Sequence, residues 1–286
     1  EYFDIERTLN SNKEIEAAFK SGKIKLAVVF QPDFQHELLH SNKAQIQLIA
    51  DATDPNQATT LVNYATSIIM EYQNDLNGLN KLPYTINTEL RMLYNPELKG
   101  AYSSVPGVMG MILLLISTMM TSISIVREKE LGTMEILLVS PMKPFLVIIS
   151  KVIPYFVISL INVATILFLS VYILGMPIQG STILLIAITI LYIFCALSLG
   201  ILISTVTDSQ LAAMLISLLG LMLPVVMLSG YVFPVANMPI ILQVLSNIVP
   251  AKWYIIMVKS VMIKGLGING IWRESLILFG MTVFFI

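Results

Sequence analysis

Arg127-Glu-Lys-Glu-Leu-Gly-Thr-Met-Glu-Ile-Leu-Leu-Val-Ser-Pro141 lies between two long runs, 105–126 and 152–174, that contain no charged residue. Each run exceeds the roughly 20 apolar residues that a helix needs to cross a bilayer. The charged stretch must therefore lie in water or at the interface, on one side of a membrane. The sequence thus predicts two membrane spans joined by a polar segment.

Apolar side chains recur along this charged stretch at helical spacing. Leu131, Met134 and Leu138 occupy positions i, i+3 and i+7, which predicts a short amphipathic helix. Pro141 ends it, because the residue before a proline is disfavoured in the helical region. Such a helix can rest on lipid headgroups, or it can be the segment through which a soluble partner moves the two attached spans. The periodicity is compatible with both.

The composition indicates a membrane protein with a separate polar domain. Of 286 residues, 56% are hydrophobic and 12% are charged, against about 25% charged in soluble domains. Residues 1–104 hold 13 acidic and 9 basic side chains, 22 of the 35 charges. The net charge of −1 argues against a nucleic-acid partner, which requires a basic surface. The single cysteine, Cys195, lies in an apolar run, where we expect it to contribute to packing.

Residues 1–100 are predicted to form a small α/β domain, because helical and strand patterns alternate. Ser11 and Glu14 form a capping box, and Asp54-Pro55 begins a second helix that continues to about Asn74. We expect the buried face of that second helix to hold Leu61, Tyr64, Ala65, Ile68, Ile69 and Tyr72. The predicted strands are a buried one at 24–30, an alternating one at 44–50 and a last one at 85–93.

Residues 105–286 are predicted to form a helical membrane domain. The predicted spans are 105–126, 152–174, 181–206, 211–229 and a short final one at 271–286. Between 230 and 270 the apolar segments are too short to span, and prolines at 234, 239 and 250 interrupt them. This pattern predicts a re-entrant or interfacial hairpin.

Three stretches together resemble one known family. The charged stretch at 127–141, Tyr94-Asn-Pro-Glu-Leu-Lys99 and Leu228-Ser-Gly-Tyr-Val-Phe-Pro-Val-Ala-Asn-Met-Pro239 are similar to segments of ABC-2 type transporter permeases, and they occur in the same order. The resemblance implies an α-helical integral membrane domain of the type V exporter (ABC-2) fold with a small extracytoplasmic α/β domain. It implies six helices per subunit, so we expect one before residue 1 and expect the last to continue beyond residue 286.

The resemblance also implies a function for the charged stretch. It would be a cytoplasmic coupling segment that docks a separate ABC ATPase, through Arg127, Glu128, Glu130, Leu131, Gly132, Thr133, Met134, Glu135 and Leu138. The chain has no G-x-x-x-x-G-K-[ST] motif, so ATP and Mg²⁺ are expected on that partner. A second permease subunit, membrane lipid and an envelope protein are further expected partners, in a bacterial inner membrane. Lysines and arginines flank both sides of the spans equally, so the orientation comes from the resemblance.

Polar residues within the predicted spans are few. Asn162 and Thr165 are candidates for lining a substrate pathway, although such residues also bond their own helix or a neighbour. The first four predicted spans contain no charged residue, which argues against a proton- or sodium-coupled carrier. A membrane-anchored extracytoplasmic sensor and a secondary transporter are the alternatives to an exporter permease.

His36-Glu-Leu-Leu-His40 fits the H-E-x-x-H pattern of zinc metalloproteases. In a helix both histidines would share one face, with Glu37 as general base and Asp33 or Glu71 as a third ligand. The string lies in a short helix closely flanked by strands, with Phe34 and Leu38 as its buried side. We therefore interpret the match as coincidental and expect no metal site.

Overall fold

The computed structural model describes residues 3–79, 84–134 and 144–286. The chain divides into two compact units, of which the first extends to Tyr102 and the second is Ser103–Ile286.

Unit 1 contains three helices and a three-stranded sheet. In chain order the elements are α1 (Asn12–Lys20), β1 (Leu26–Phe30), α2 (Phe34–Ser41), β2 (Lys43–Asp51), α3 (Pro55–Leu79) and β3 (Thr85–Leu93). The strand order is β1-β2-β3, with β1 antiparallel and β3 parallel to the central β2. The parallel pair needs a long crossover connection, which α3 supplies.

Short-range sequence signals account for the ends of these helices. The Ser11 hydroxyl accepts a hydrogen bond from the Glu14 amide, and the Glu14 carboxylate accepts one from the Asn10 amide. Gly22 follows α1 with φ +71°, a conformation that glycine adopts without steric cost. Asp54 caps α3 by accepting from the Gln57 amide at 3.3 Å. The predicted serine and aspartate caps are thus confirmed, but the reciprocal bond of the predicted capping box goes to Asn10 and not to the N-cap residue Ser11.

Two predictions about the burial of unit 1 are wrong. The strand predicted to be buried, β1, lies at the sheet edge, where Val28 is 44% and Phe30 58% exposed. On α3 the prediction is wrong for Tyr64, Ile68 and Tyr72, which are exposed. Ala65 is buried and Ile69 packs against the core as predicted, and Ala58 and Val62 are buried as well. Ala58 and Val62 pack against Ala50 and Ala52, so small side chains on both sides allow the helix to approach closely. Their close approach sets the rotation of α3, so that Tyr64, Ile68 and Tyr72 face outward.

Unit 2 is helical. Its helices are α4 (Ala101–Glu130), α5 (Pro144–Tyr172), α6 (Thr182–Val206), α7 (Gln210–Leu228), α8 (Ile240–Ser246), α9 (Pro250–Met262) and α10 (Trp272–Phe285). Over the described ranges, α4 to α7 are the helices long and apolar enough to cross a membrane. The most buried of them is α6, which packs against α5, α7, α9 and α10.

Helices α8 and α9 form a hairpin bent by 82°. The end of α9 returns to the start of α6, since the Gln179 amide donates to the Met262 carbonyl at 2.9 Å. The start of α9 lies deep in the unit, because the rings of Tyr254 and Tyr192 stack with centroids 4.0 Å apart. The end of α9 therefore lies where α6 begins, and the bend between α8 and α9 is that of either a broken span or the predicted re-entrant segment.

The helix boundaries around the charged stretch differ from the prediction. Arg127 to Glu130 extend α4 instead of starting a new amphipathic helix, because glutamate, lysine and arginine favour continued helix. The chain leaves the helix at Leu131 and Gly132, where Gly132 has φ +72°. Thr133 and Met134 are helical again. Glu135, Leu138 and the predicted end at Pro141 lie outside the described residues.

Candidate functional site

Four long helices meet at the end of unit 2 that contains the charged stretch. Here α4 and α6 end, and α5 and α7 begin. Three consecutive side chains of α4, those of Glu128, Lys129 and Glu130, each bond a different one of the other three helices. We call this set of residues, with their partners Lys151, Gln210 and the carbonyls of Ser204 and Thr207, the charged junction.

Glu128 bonds α5. Its carboxylate lies 2.5 Å from the Nζ atom of Lys151, seven residues into α5. The two side chains are 23% and 34% exposed, so water and salt screen this pair less than a fully exposed one. The Thr133 hydroxyl donates to the same carboxylate, and it lies 3.2 Å from the Glu128 carbonyl. Glu128 therefore joins the end of α4 both to α5 and to the segment that follows Gly132.

Lys129 bonds the end of α6. Its Nζ atom donates to the carbonyl of Ser204 and lies 3.4 Å from the carbonyl of Thr207. The last carbonyls of a helix have no partner within it and carry the negative end of the helix dipole. A lysine is the residue type that both features favour at this position.

Glu130 bonds the start of α7. Its carboxylate accepts from the Gln210 backbone amide at 2.9 Å and from the Gln210 side-chain amide at 3.0 Å. The first amides of a helix lack an internal partner and form the positive end of the dipole. A carboxylate therefore suits this end, just as the lysine suits the end of α6. The 207–209 turn is held from both sides by neighbouring residues of opposite charge.

The other predicted coupling residues that the structure describes are Arg127 and the residues from Leu131 to Met134, of which Thr133 bonds Glu128. Leu131 is 62% exposed, and so are Val206 (73%) and Leu211 (66%) at the same end of the helices. Arg127 and Gly132 are exposed, and Thr133 and Met134 are half-buried. Two of the glutamates that the sequence suggested for contact with a partner, Glu128 and Glu130, are thus bonded within the chain, and Leu131 is left exposed.

In its middle, α4 contacts the same helices through hydroxyl groups. Ser117 lies 2.7 Å from Ser159 of α5, Thr118 donates to the Ala196 carbonyl of α6 at 2.9 Å, and Ser122 lies 3.1 Å from Ser217 of α7. The Tyr192 hydroxyl donates to the Gly110 carbonyl at 2.7 Å. Each bond is neutral and buried, as an apolar environment requires.

Glycine allows α4 and α6 to approach closely. A Cβ atom built on Gly200 would lie 2.7 Å from the Thr118 carbonyl oxygen, a backbone atom that no side-chain rotation can move. Small residues at helix contacts serve this purpose in membranes. The contact also brings the Thr121 hydroxyl into a buried position where it has no hydrogen-bond partner among the described residues.

Comparison with known proteins identifies the family. The family model described as "ABC-2 family transporter protein" matches residues 1–286. The chain belongs to the ABC-2 transporter family. It is 33% identical to the Escherichia coli probable multidrug ABC transporter permease YbhR over 93% of this chain and 72% of that protein. The probable multidrug ABC transporter permease YbhS and the inner membrane transport permease YhhJ of E. coli are each 31% identical, over 91% and 93% of this chain and 70% and 71% of those proteins. No solved structure matches.

The other two stretches that resemble ABC-2 permeases have local structural roles here. Asn95 is buried, and its side chain bonds both the amide and the carbonyl of Lys99 at 2.9 and 3.0 Å, which closes the loop before α4. Burial, with the carboxylates of Asp51 and Glu16 nearby, raises the pKa of Tyr94 to about 12. In the third stretch, Tyr231 packs so closely on α4 that a Cβ atom on Gly107 would lie 1.8 Å from its ring.

The predicted pathway residues lie on α5, a helix that is little buried within this ABC-2 chain. Asn162 is half-buried. Thr165 is exposed and donates to the Ile161 carbonyl of its own helix at 2.9 Å. The structure brings neither residue to the charged junction, and their contribution to a pathway stays a prediction.

The H-E-x-x-H residues lie on α2, as the spacing predicts, but they make other contacts. The rings of His36 and His40 stack at 4.1 Å, and His40 Nδ1 lies 3.0 Å from the His36 carbonyl. Glu37 accepts a hydrogen bond from Gln31. In the described parts of this ABC-2 chain, no three His, Cys, Asp or Glu side chains lie close enough together to hold a metal ion.

Sequence reasoning missed the partners within the junction. Lys151, Ser204, Thr207 and Gln210 were not among the predicted site residues, and they lie 23 to 80 positions from their partners on α4. One signal was present: a lysine and a glutamine directly precede the apolar runs 152–174 and 211–229, at the same predicted side of the membrane.

Proposed function

We propose that this chain is the membrane-spanning permease subunit of an ATP-driven ABC exporter in a bacterial inner membrane. Two such subunits form the pathway between them, and each docks a separate ATPase subunit that holds ATP and Mg²⁺. The observation that carries this proposal is the geometry after Glu130. At the end where the four long helices meet, the chain turns at Gly132 and presents an exposed leucine next to a network that reaches all four helices.

The docking contact that we propose is centred on Leu131 and continues along the coupling segment to Leu138. A large apolar side chain that is 62% exposed gains free energy by entering a cleft on a partner. ATP binding closes the ATPase subunits, the coupling segment moves with them, and the pathway opens alternately to the two sides of the membrane. In this orientation unit 1 and the α8–α9 hairpin are extracytoplasmic, where unit 1 can meet an envelope partner.

The names of the relatives suggest the first cargo to test. YbhR and YbhS are described as probable multidrug permeases. We therefore propose small lipophilic molecules as cargo, and a panel of neutral and cationic lipophilic dyes as the first substrates.

The test is co-purification and transport by the full-length subunit. It is expressed with the ATPase genes of its own genomic neighbourhood, purified in detergent, and assayed in inside-out vesicles for ATP-dependent dye uptake. We expect a stoichiometric ATPase that is lost in Leu131→Glu. The matched control is Leu39→Glu, which changes a leucine of similar exposure in unit 1 (57%) and should retain the ATPase.

Two results would contradict the proposal. A wild-type subunit that binds no ATPase and moves no dye would favour an extracytoplasmic sensor or a secondary transporter. An ATPase that stays bound to Leu131→Glu would show that docking occurs elsewhere on the chain.

A further inference from the structure

We propose that Glu128, Lys129 and Glu130 are positioning residues that hold the ends of α4, α5, α6 and α7 together as one body. A displacement applied at Leu131 to Met134 is then passed to all four helices at once. This inference rests on the proposed function and goes beyond docking: it assigns the glutamates to transmission within the subunit.

The three side chains point in different directions from the end of α4. Consecutive residues of an α-helix point about 100° apart, so three in a row can reach three neighbours. Here Glu128 bonds Lys151 of α5, Lys129 bonds the end of α6, and Glu130 bonds the start of α7. One turn of α4 thereby contacts every other long helix of the unit.

The charges of Lys129 and Glu130 match the helix ends that they contact. Lys129 lies at the C-terminus of α6 and Glu130 at the N-terminus of α7, and each has the sign that the local dipole favours. Exchanging the two residues would place each charge at the wrong end. The order of lysine and then glutamate therefore matters for these contacts, and neither net charge nor solubility explains it.

A turn at Gly132 separates α4 from the coupling segment. The helix ends at Glu130, and Gly132 with its positive φ follows directly. Across this turn the Thr133 hydroxyl bonds back to Glu128, which itself bonds Lys151. The start of the coupling segment is thus attached to the junction by side chains as well as by the backbone, so its motion is carried through a continuous bonded network.

The test compares two charge exchanges of identical composition in the full-length complex. Glu128→Lys and Lys151→Glu should each keep the ATPase bound but lower the dye transported per ATP hydrolysed several-fold. The double exchange E128K/K151E should restore it, because two side chains can exchange signs and still pair. The double exchange K129E/E130K should not restore transport per ATP, because the sign of the dipole at each helix end is fixed.

The matched control is the exchange E97K/K99E. This ion pair, 2.8 Å long and exposed in unit 1, lies outside the junction, and we expect wild-type transport per ATP. The inference would be overturned if the single variants transported as much dye per ATP as wild type, or if E128K/K151E transported no more dye per ATP than Glu128→Lys or Lys151→Glu. Loss of the ATPase from the single variants would also overturn it, because it would mean that these residues dock the ATPase directly.

A second measurement separates this inference from the proposed function. Thermal unfolding of the purified permease subunit alone, without an ATPase, is compared for wild type, both single variants and E128K/K151E. Melting temperatures that fall in each single variant and recover in the double variant support the junction even if no ATPase binds. If the melting temperature of E128K/K151E instead falls by the sum of the two single falls, the inference is contradicted, whatever the transport assay gives.

Discussion

The middle and the end of α4 contact the same three helices in different ways. In the middle the contacts are hydroxyl groups and a glycine, as in Ser117 with Ser159 and Gly200 against Thr118. At the end they are charged side chains, as in Glu128 with Lys151. The middle lies where a bilayer supplies no water to polar groups, whereas the end lies where water can reach the charges.

This difference indicates what each region tolerates. Neutral contacts at short range depend on shape, so one added methyl group or one lost hydroxyl should be costly in the middle. Charged contacts near water are weaker individually, but they depend on sign. We expect the middle to determine whether the helices assemble, and the end to determine how they move together.

The largest effect should follow from filling the gap at Gly200. In Gly200→Val the new side chain meets the Thr118 carbonyl, which is backbone and cannot rotate away. We expect a loss of about 3 kcal/mol in the free energy of unfolding, or no folded protein, because overpacking of this kind forces helices apart. Thermal unfolding in detergent measures it, with Gly280→Val as control, since nothing lies within 4 Å of a Cβ atom there. Equal stability of both variants would mean that α4 and α6 are not closely packed.

A smaller effect should follow from removing single hydroxyls of the middle. Thr118→Val removes the donor to the Ala196 carbonyl and should cost about 1 kcal/mol. Thr121→Val, one turn further, removes a buried hydroxyl that lacks a partner among the described residues, so it should be neutral or stabilising. The pair has the same change in shape and differs only in the hydrogen bond. If Thr121→Val is the more destabilising of the two, the assignment of these bonds is wrong.

Local signals in the sequence predicted much of the fold. The bounds of β3, the Ser11 cap and the uncharged runs of α4 to α7 depend on residues close together in the chain, and the structure contains each of them. The rotation of α3 could not be predicted in this way. It depends on Ala58 and Val62 meeting Ala50 and Ala52 across the sheet, a contact between two elements that periodicity alone does not reveal.

The candidate site shows the same limit. The sequence identified Glu128 and Glu130 as important positions from their resemblance to a family segment, but it suggested that they face a partner. Their bonds to Lys151 and Gln210 span 23 and 80 residues, and nothing in the spacing pairs a carboxylate with one distant lysine over another. Only the arrangement of four helix ends in space makes those partners specific.

The smallest effect, and the one that best separates end from middle, should come from Lys129→Met. This change keeps the apolar length of the side chain and removes the charge at the end of α6. We expect at most about 1 kcal/mol of lost stability at low salt, because the group is only partly shielded from water. At 1 M salt the screening length falls to about 3 Å, so the difference from wild type should shrink. The deficit of Thr118→Val should stay constant, and Lys13→Met, an exposed lysine of unit 1, controls for the loss of one charge. A Lys129→Met deficit that salt does not change would show that the side chain acts through packing, and the end of α4 would then resemble its middle.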